Sequence, residues 1–339
     1  MHNHDFHKLK VSEARPETDS AMSIALEIPP EIRDMFAYAP GQFLNVRISV
    51  GGKARMRCYS LCSSPHVGEP LRIAVKRVAK GLVSNALCDT MVAGATLEVQ
   101  PPAGQFVPES LDEPLLLFAG GSGITPVFSI LKSVLAAGKG RVTLVYANRD
   151  EQSVIFAKEI AALAAAHPAR LVVFHWLESV QGLPQPAQVA ELVRSGAGAR
   201  SYICGPEPFM QVVTAALSLL SVHPARVHLE RFVSLPDEDD LLAAAPSGGS
   251  DADLNVVLDG ESHQLQWPAE TKLLDIMLAA GLDAPYSCRV GGCSACMCRV
   301  TKGEVRMGIN LVLTDQEIAE GWTLACQAYA VSDEVGIEI

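Results

Sequence analysis

Over the first hundred residues, apolar positions come in short alternating runs broken by Pro and Gly, at 23–28, 43–48, 71–78 and 97–100. A period of two puts successive side chains on opposite faces of a strand, so this spacing predicts small antiparallel strands forming a barrel or sandwich. From Glu113 the texture changes. Apolar runs at 115–119, 142–146, 171–176, 201–204 and 227–230 alternate with helical stretches at 127–137, 155–166, 187–194 and 207–220. Alternation of this kind predicts a parallel sheet covered by helices on both faces. Further on, 254–258 and 263–267 flank Asp259-Gly260-Glu261-Ser262, a hairpin signal, and 271–280 reads as an amphipathic helix closed by Gly281.

Length and composition fit that division. At 339 residues the chain is too long for one ordinary core. The expected domains are an antiparallel β-barrel over 1–108, a parallel α/β domain over 109–235, a polar linker over 236–253 and a third, β-rich domain over 254–339. Hydrophobic content of 49% with 19% charged residues is that of a folded soluble protein, and no run approaches the ~18 apolar residues of a membrane span. The start has no basic region followed by an apolar stretch, which predicts a cytoplasmic protein with no membrane partner. A net charge of −11 argues against nucleic acid. The charge is uneven: residues 251–339 hold 14 acidic against 5 basic groups, and residues 237–240 add four more acids. An acidic C-terminal module of this kind can steer docking.

Nine cysteines in such a chain argue for metal ligands and free thiols, not a disulfide framework. Cys288, Cys293 and Cys296 read C-x4-C-x2-C, and Cys326 follows thirty positions later. That is the plant-type ligand run of a [2Fe–2S] cluster. Gly291 and Gly292 suit a loop whose backbone must approach sulfur and point N–H groups at it. A zinc site would show a second knuckle, which is missing, and Cys298 reads as a packed thiol.

Two further stretches carry chemistry. Arg57-Cys58-Tyr59-Ser60, with Lys76, Gly81 and Ser84 downstream, supplies what a flavin needs: cations for phosphate, a tyrosine ring for the isoalloxazine and a hydroxyl for its N5. Taken alone, the first tetrapeptide reads equally as a surface strand bearing an arginine. The second stretch is Gly120-Gly121-Ser122-Gly123-Ile124-Thr125-Pro126, between a predicted strand and a predicted helix. A strand, a glycine-rich turn and a helix N-terminus form an anion cradle for a dinucleotide, although the spacing is not G-x-G-x-x-G.

In the order of these segments the chain resembles the ferredoxin–NADP⁺ reductase superfamily, on R-x-Y-S, G-x-x-S, G-G-x-G-I-T-P and the C-G-P of Cys204, Gly205 and Pro206. The resemblance implies that Arg57, Tyr59 and Ser60 hold the flavin and that Gly81 and Ser84 meet its pyrophosphate, favouring FAD over FMN. It also implies that Gly120, Gly121, Gly123, Thr125 and Pro126 cradle the nicotinamide dinucleotide, with Cys204 beside the nicotinamide. Phe232 would be an aromatic gate over the flavin; a core phenylalanine is the alternative. Ser60, Cys204 and Phe232 would form the catalytic group. Arg149 could pair with a 2′-phosphate whereas Asp150 would repel one, so NADH is favoured and NADPH is the alternative.

With a C-terminal module resembling the β-grasp fold of plant-type ferredoxins, the chain is similar to reductase components of multicomponent oxygenases. The types it resembles are those of ketosteroid hydroxylases and phenylacetyl-CoA epoxidases. That resemblance implies electron transfer from NADH through FAD and a [2Fe–2S] cluster to an oxygenase of Rieske or other metal type. Two alternatives are a reductase for another acceptor, such as a hybrid-cluster protein, and a non-enzymatic redox sensor.

Overall fold

A computed structural model describes residues 5–232 and 251–339. They belong to two compact units, and each is described by itself.

In the first unit the strands β1 (His7–Thr18), β2 (Ala21–Glu27), β3 (Phe43–Val50), β4 (Lys53–Ser60), β5 (Leu71–Lys76) and β6 (Thr96–Val99) pair antiparallel in the order β4-β3-β6-β1-β2-β5. A bridge between Leu61 and Ile73 joins the two ends of that order, closing the sheet into a barrel. Its core is built from the inward positions of the alternating runs, including Ile24, Leu26, Leu44, Val46, Ile73 and Val75. Helix α1 (Leu82–Thr90) crosses from β5 to β6. The predicted strand over 71–78 ends at Lys76, because the chain turns there toward Gly81.

The chain then enters a five-stranded parallel sheet. It comprises β7 (Leu115–Gly120), α2 (Ile124–Ala137), β8 (Val142–Asn148), α3 (Ala157–Ala166), β9 (Leu171–Leu177), α4 (Glu178–Gln181), α5 (Pro186–Val193), β10 (Arg200–Cys204), α6 (Glu207–Leu219) and β11 (Val227–Glu230). The strand order is β11-β10-β7-β8-β9, so β7 is central and the order reverses beside it, where open α/β sheets bind ligands at their C-terminal ends. Helix α2 starts at Ile124, earlier than expected; Thr125 and Pro126 therefore lie in its first turn, where proline's missing N–H leaves nothing unpaired.

Barrel and sheet share one core: Ala21, Cys62, Ala74 and Phe106 of the barrel pack with Leu117, Ile130, Val134 and Tyr146 of the sheet layer. Buried hydroxyls lock the seam, with Ser64 Oγ and Ser133 Oγ 2.8 Å apart and Ser129 Oγ donating to Ser63 O at 2.6 Å. This seam fixes the end of β5 relative to the turn after β7.

The second unit holds β12 (Ala252–Leu258), β13 (Glu261–Trp267), α7 (Leu273–Ala279), β14 (Met297–Lys302), β15 (Val305–Met307), α8 (Asp315–Ala319), β16 (Trp322–Leu324), β17 (Ala328–Ala330) and β18 (Glu334–Glu338). Its mixed sheet runs β13-β12-β18-β14-β16, with β12 and β18 parallel, and α7 packs Leu273, Leu274 and Met277 into the core beside Trp267. The predicted linker lies outside the described residues up to 250, together with its acidic run and Met1 to His4; its last residues, from Ala252, belong to β12.

Candidate functional site

The barrel contribution begins on β4. Arg57 and Tyr59 share one face of this strand, while Cys58 and Ser60 point to the other. Cys58 donates its thiol to Asn45 Oδ1 (3.0 Å), and Asn45 Nδ2 donates to Gln100 Oε1 (2.6 Å), so the strand is pinned from behind. Burial pushes the Tyr59 phenol well above its ordinary value, leaving a neutral ring. Ser60 is buried where β4 ends, opposite Phe43.

Gly81 stands at the N-cap of α1. A Cβ there would meet Ser84 Oγ at 2.7 Å and Val78 Cβ at 2.9 Å, so only glycine fits. Ser84 Oγ accepts from the Val78 N–H (3.1 Å), and Asn85 Nδ2 donates to Gly81 O (2.7 Å). Gly81 and Ser84 are thus neighbours in a locked turn at a helix N-terminus, a shape and polarity that fit a pyrophosphate.

The nicotinamide motif is tighter. A Cβ on Gly123 would lie 2.1 Å from Cys204 O, one on Gly120 would lie 2.8 Å from Pro206 Cδ, and one on Gly205 would lie 2.9 Å from Gly120 Cα. The two motifs, 80 residues apart, are therefore packed backbone to backbone, which β10–β7 pairing with Cys204 opposite Ala119 enforces. Gly121 has φ +52°, and its carbonyl accepts from Tyr146 Oη (3.1 Å). Thr125 Oγ1 donates to Ser122 O (3.1 Å), closing the turn from the helix side.

Lys76, expected to serve the flavin phosphate, stands beside the nicotinamide turn. Its ammonium lies 3.3 Å from where a Cβ on Gly121 would sit. Burial, then the charge of Arg149, draws its pKa below the ordinary lysine value, while Asp150 opposes. Lys76 and Arg149 therefore share one electropositive place at the C-terminal ends of β7 and β8. The cradle without Cβ atoms and the two cations fit a dinucleotide diphosphate.

Cys204 is fully buried, and burial, reinforced by Glu230, pushes its thiol well above the ordinary value. Glu230, paired with Cys204 across β10 and β11, was not singled out from the sequence. Burial pushes its carboxyl up to about 8. Glu230 opens the segment whose resemblance gives a role only to Phe232, and it is the strand register that sets it beside Cys204. Phe232 is 45% exposed at the end of the first described segment.

In the second unit Cys288, Cys293, Cys296 and Cys326 are all buried. Arg289, Gly291 and Ser294 have φ of +58°, +74° and +55°, so the loop curls and turns its amides inward. The N–H groups of Val290 and Gly292 donate to Cys288 Sγ (3.5 and 3.4 Å), that of Cys288 to Cys293 Sγ (3.3 Å), and that of Cys326 to Cys296 Sγ (3.5 Å). The Cys293 thiol, aided by these loop amides, holds Cys288 down to about 7. Cys296 likewise bonds the Cys326 sulfur and lowers it. The thiols thus form two pairs, Cys288 with Cys293 and Cys296 with Cys326; among the described residues no three ligand side chains converge as on one ion. Two pairs and a ring of N–H donors fit a two-iron centre. Cys298 is buried and pushed up to about 12 by burial, which suits a packed thiol.

Comparison with known proteins agrees with this division. Residues 8–107 match an oxidoreductase FAD-binding domain, 117–215 an oxidoreductase NAD-binding domain and 256–331 a 2Fe-2S iron-sulfur cluster binding domain. The ferredoxin reductase component of 3-ketosteroid-9-alpha-monooxygenase from Rhodococcus rhodochrous is 50% identical over 97% of this chain and 96% of its own. A 1,2-phenylacetyl-CoA epoxidase polypeptide from Escherichia coli is 32% identical over 98% and 97%. The structure of phthalate dioxygenase reductase superposes with a TM-score of 0.57 at 23% identity, covering 98% of each chain, which shows the shared fold. The chain belongs to the ferredoxin–NADP⁺ reductase superfamily, in the family of oxygenase reductase components that join FAD-binding, NAD-binding and C-terminal [2Fe–2S] domains.

Proposed function

We propose that this chain passes electrons from NADH to a Rieske-type oxygenase that hydroxylates a steroid-like substrate. The similarity to the Rhodococcus reductase component, extending over both whole chains, supports the acceptor and substrate class. The observation that carries the reading is the meeting of the barrel residue Lys76, the glycine turn and the Cys204 segment at one place, so that the barrel and the parallel sheet contribute to one site. When bound, the flavin accepts two electrons together and the cluster passes them on singly.

The residues then have distinct work. Lys76 and Arg149 with the turn amides hold the dinucleotide diphosphate, and Arg57, Gly81 and Ser84 hold that of FAD. Tyr59 offers the flavin a neutral, flat, half-buried ring, and Ser60, at the buried end of β4, is the hydroxyl that would meet it. Cys204 stays a thiol at neutral pH and so contributes shape without charge. Glu230 keeps its proton at neutral pH, which avoids a fixed anion against the site. The four paired thiols, Cys288 with Cys293 and Cys296 with Cys326, would hold the cluster. Nine cysteines with none in a disulfide suit a reducing compartment, and we place the protein in the cytoplasm.

Reconstitution tests the reading. Product formation from NADH is expected only when the oxygenase component is added, and turnover that needs no such component would sink the assignment. In Cys293→Ser, rapid-mixing spectroscopy is expected to show flavin reduction by NADH unchanged and reduction of the oxygenase abolished.

A further inference from the structure

Gln327, immediately after the fourth cysteine, is a buried primary amide only 3% exposed. Burying such a group is costly unless its hydrogen bonds are made. Its Nε2 donates to Arg289 O at 2.9 Å and lies 3.9 Å from Cys326 Sγ. One amide therefore spans the start of the ligand loop and the sulfur of the distant turn between β16 and β17.

The surroundings are arranged for that span. Arg289 is in the left-handed region, which a residue with a Cβ adopts at a cost of roughly 1–2 kcal/mol. Its guanidinium pairs with Asp275 and sits 5.4 Å over the Tyr286 ring, while its carbonyl is held from the inside by Gln327. Gly291 leaves the necessary room, because a Cβ there would come within 3.1 Å of Gln327 Cγ and 2.6 Å of Ile309 O. The backbone of Gln327 is anchored separately: its N–H donates to Leu324 O (2.8 Å) and its carbonyl accepts from the Gly308 N–H (2.9 Å). The turn thus has supports other than the side chain.

We propose that Gln327 is a positioning residue of the cluster, its amide clamping the ligand loop through Arg289 O and donating to Cys326 sulfur, so that it raises the reduction potential. The inference rests on the cluster assignment above. Donors aimed at cluster sulfur favour the reduced, more negative state. An amide that merely filled space would leave the potential alone.

The test is a dye-equilibrated titration of the purified holoprotein, following the cluster by EPR and the flavin by absorbance. In Gln327→Leu, which keeps bulk and removes the donors, the reduced-to-oxidised ratio at a fixed potential is expected to fall about threefold, or ~30 mV at 59 mV per tenfold for one electron. The flavin potential should not move. A Leu variant that keeps its cluster at the unchanged potential overturns the proposal. Should that variant lose its cluster, the wild type labelled with ¹⁵N only at glutamine side chains decides: a ¹⁵N coupling in the reduced EPR signal supports the amide–sulfur contact, and its absence overturns it. A wild type without two irons per chain would instead overturn the cluster assignment, and this inference with it.

Discussion

The nicotinamide turn at residues 120–123 and the cluster loop at 288–296 both rely on glycine, for different physical reasons. In the turn, Gly120 and Gly123 have ordinary φ, and what they avoid is a Cβ driven into the Cys204–Pro206 corner as closely as 2.1 Å. In the loop, Gly291 has φ +74°, as the non-glycine residues Arg289 and Ser294 do at +58° and +55°, and the curvature serves to aim N–H groups at sulfur. One site is an interlock between two segments of a parallel sheet; the other is a single curled segment closed by the turn between β16 and β17. The turn offers N–H groups and cations to an anionic ligand, whereas the loop offers N–H groups to its own sulfurs. A substitution in the turn should therefore disturb two segments at once, and one in the loop should strain mainly itself.

The sharpest test of that contrast is Gly123→Ala. The new Cβ cannot fit against Cys204 O without separating the turn from the corner. The rate of flavin reduction by NADH is expected to fall at least about 100-fold, an effect of roughly 2.7 kcal/mol on the barrier. The cluster spectrum should remain. Stopped-flow absorbance reads both, and a rate within tenfold of wild type would break the interlock picture.

The converse change is Gly291→Ala. Its strain combines a left-handed alanine, roughly 1–2 kcal/mol, with the close approach to Ile309 O. Iron content is expected to drop and cluster loss on mild heating to quicken, with flavin reduction by NADH unaffected. Equal damage to both steps would mean that the two sites do not fail independently.

How much of this was legible follows the same divide. The cysteine spacing and the glycine motif are local, and the strand–helix alternation followed from burial on both faces, so the fold class and family could be read. Strand β1 was not expected: in HKLKVSEARPET only Leu9 and Val11 are buried, too short an alternation to register. Lys76 faces Gly121 because a barrel strand ends against a turn of the next layer, a relation carried by the shared core and invisible along the chain. Glu230 and Gln327 were missed for a like reason, one placed by strand register and the other by a contact across 38 residues.

Glu230 offers a smaller, pH-dependent probe of the interlocked side. Its ordinary value of 4.5 is raised to about 8 in the folded chain. Below the lower value both folded and unfolded states hold the proton; between the two only the folded state does, so stability declines as pH rises through that window. Each unit of separation corresponds to about 1.4 kcal/mol, and the register pair with Cys204 transmits the cost to the corner. Glu230→Gln is expected to flatten the fall in urea midpoint of the first unit between pH 5 and about 8, while the iron–sulfur unit keeps its wild-type profile. An unchanged slope would remove Glu230 from the interlock.

The smallest expected effect concerns the outer edge of the turn, where Asp150 follows β8. Its Oδ1 accepts from the Ser153 N–H (2.8 Å) and hydroxyl (2.6 Å), capping the short helix that follows. These bonds, with Ser153's side chain first, hold the carboxylate below its ordinary value, so it is ionised at any working pH. An anion fixed beside Arg149 opposes a 2′-phosphate, which favours NADH at a position that also offers a cation. Serine keeps the capping oxygen while removing the charge. Asp150→Ser is therefore expected to raise kcat/KM for NADPH about tenfold relative to NADH. The effect should weaken at high salt, because the group is exposed and screening acts on it. A preference that stays constant at low and high salt would place the adenosine end away from Asp150, and the cations Lys76 and Arg149 would then be acting on the diphosphate alone.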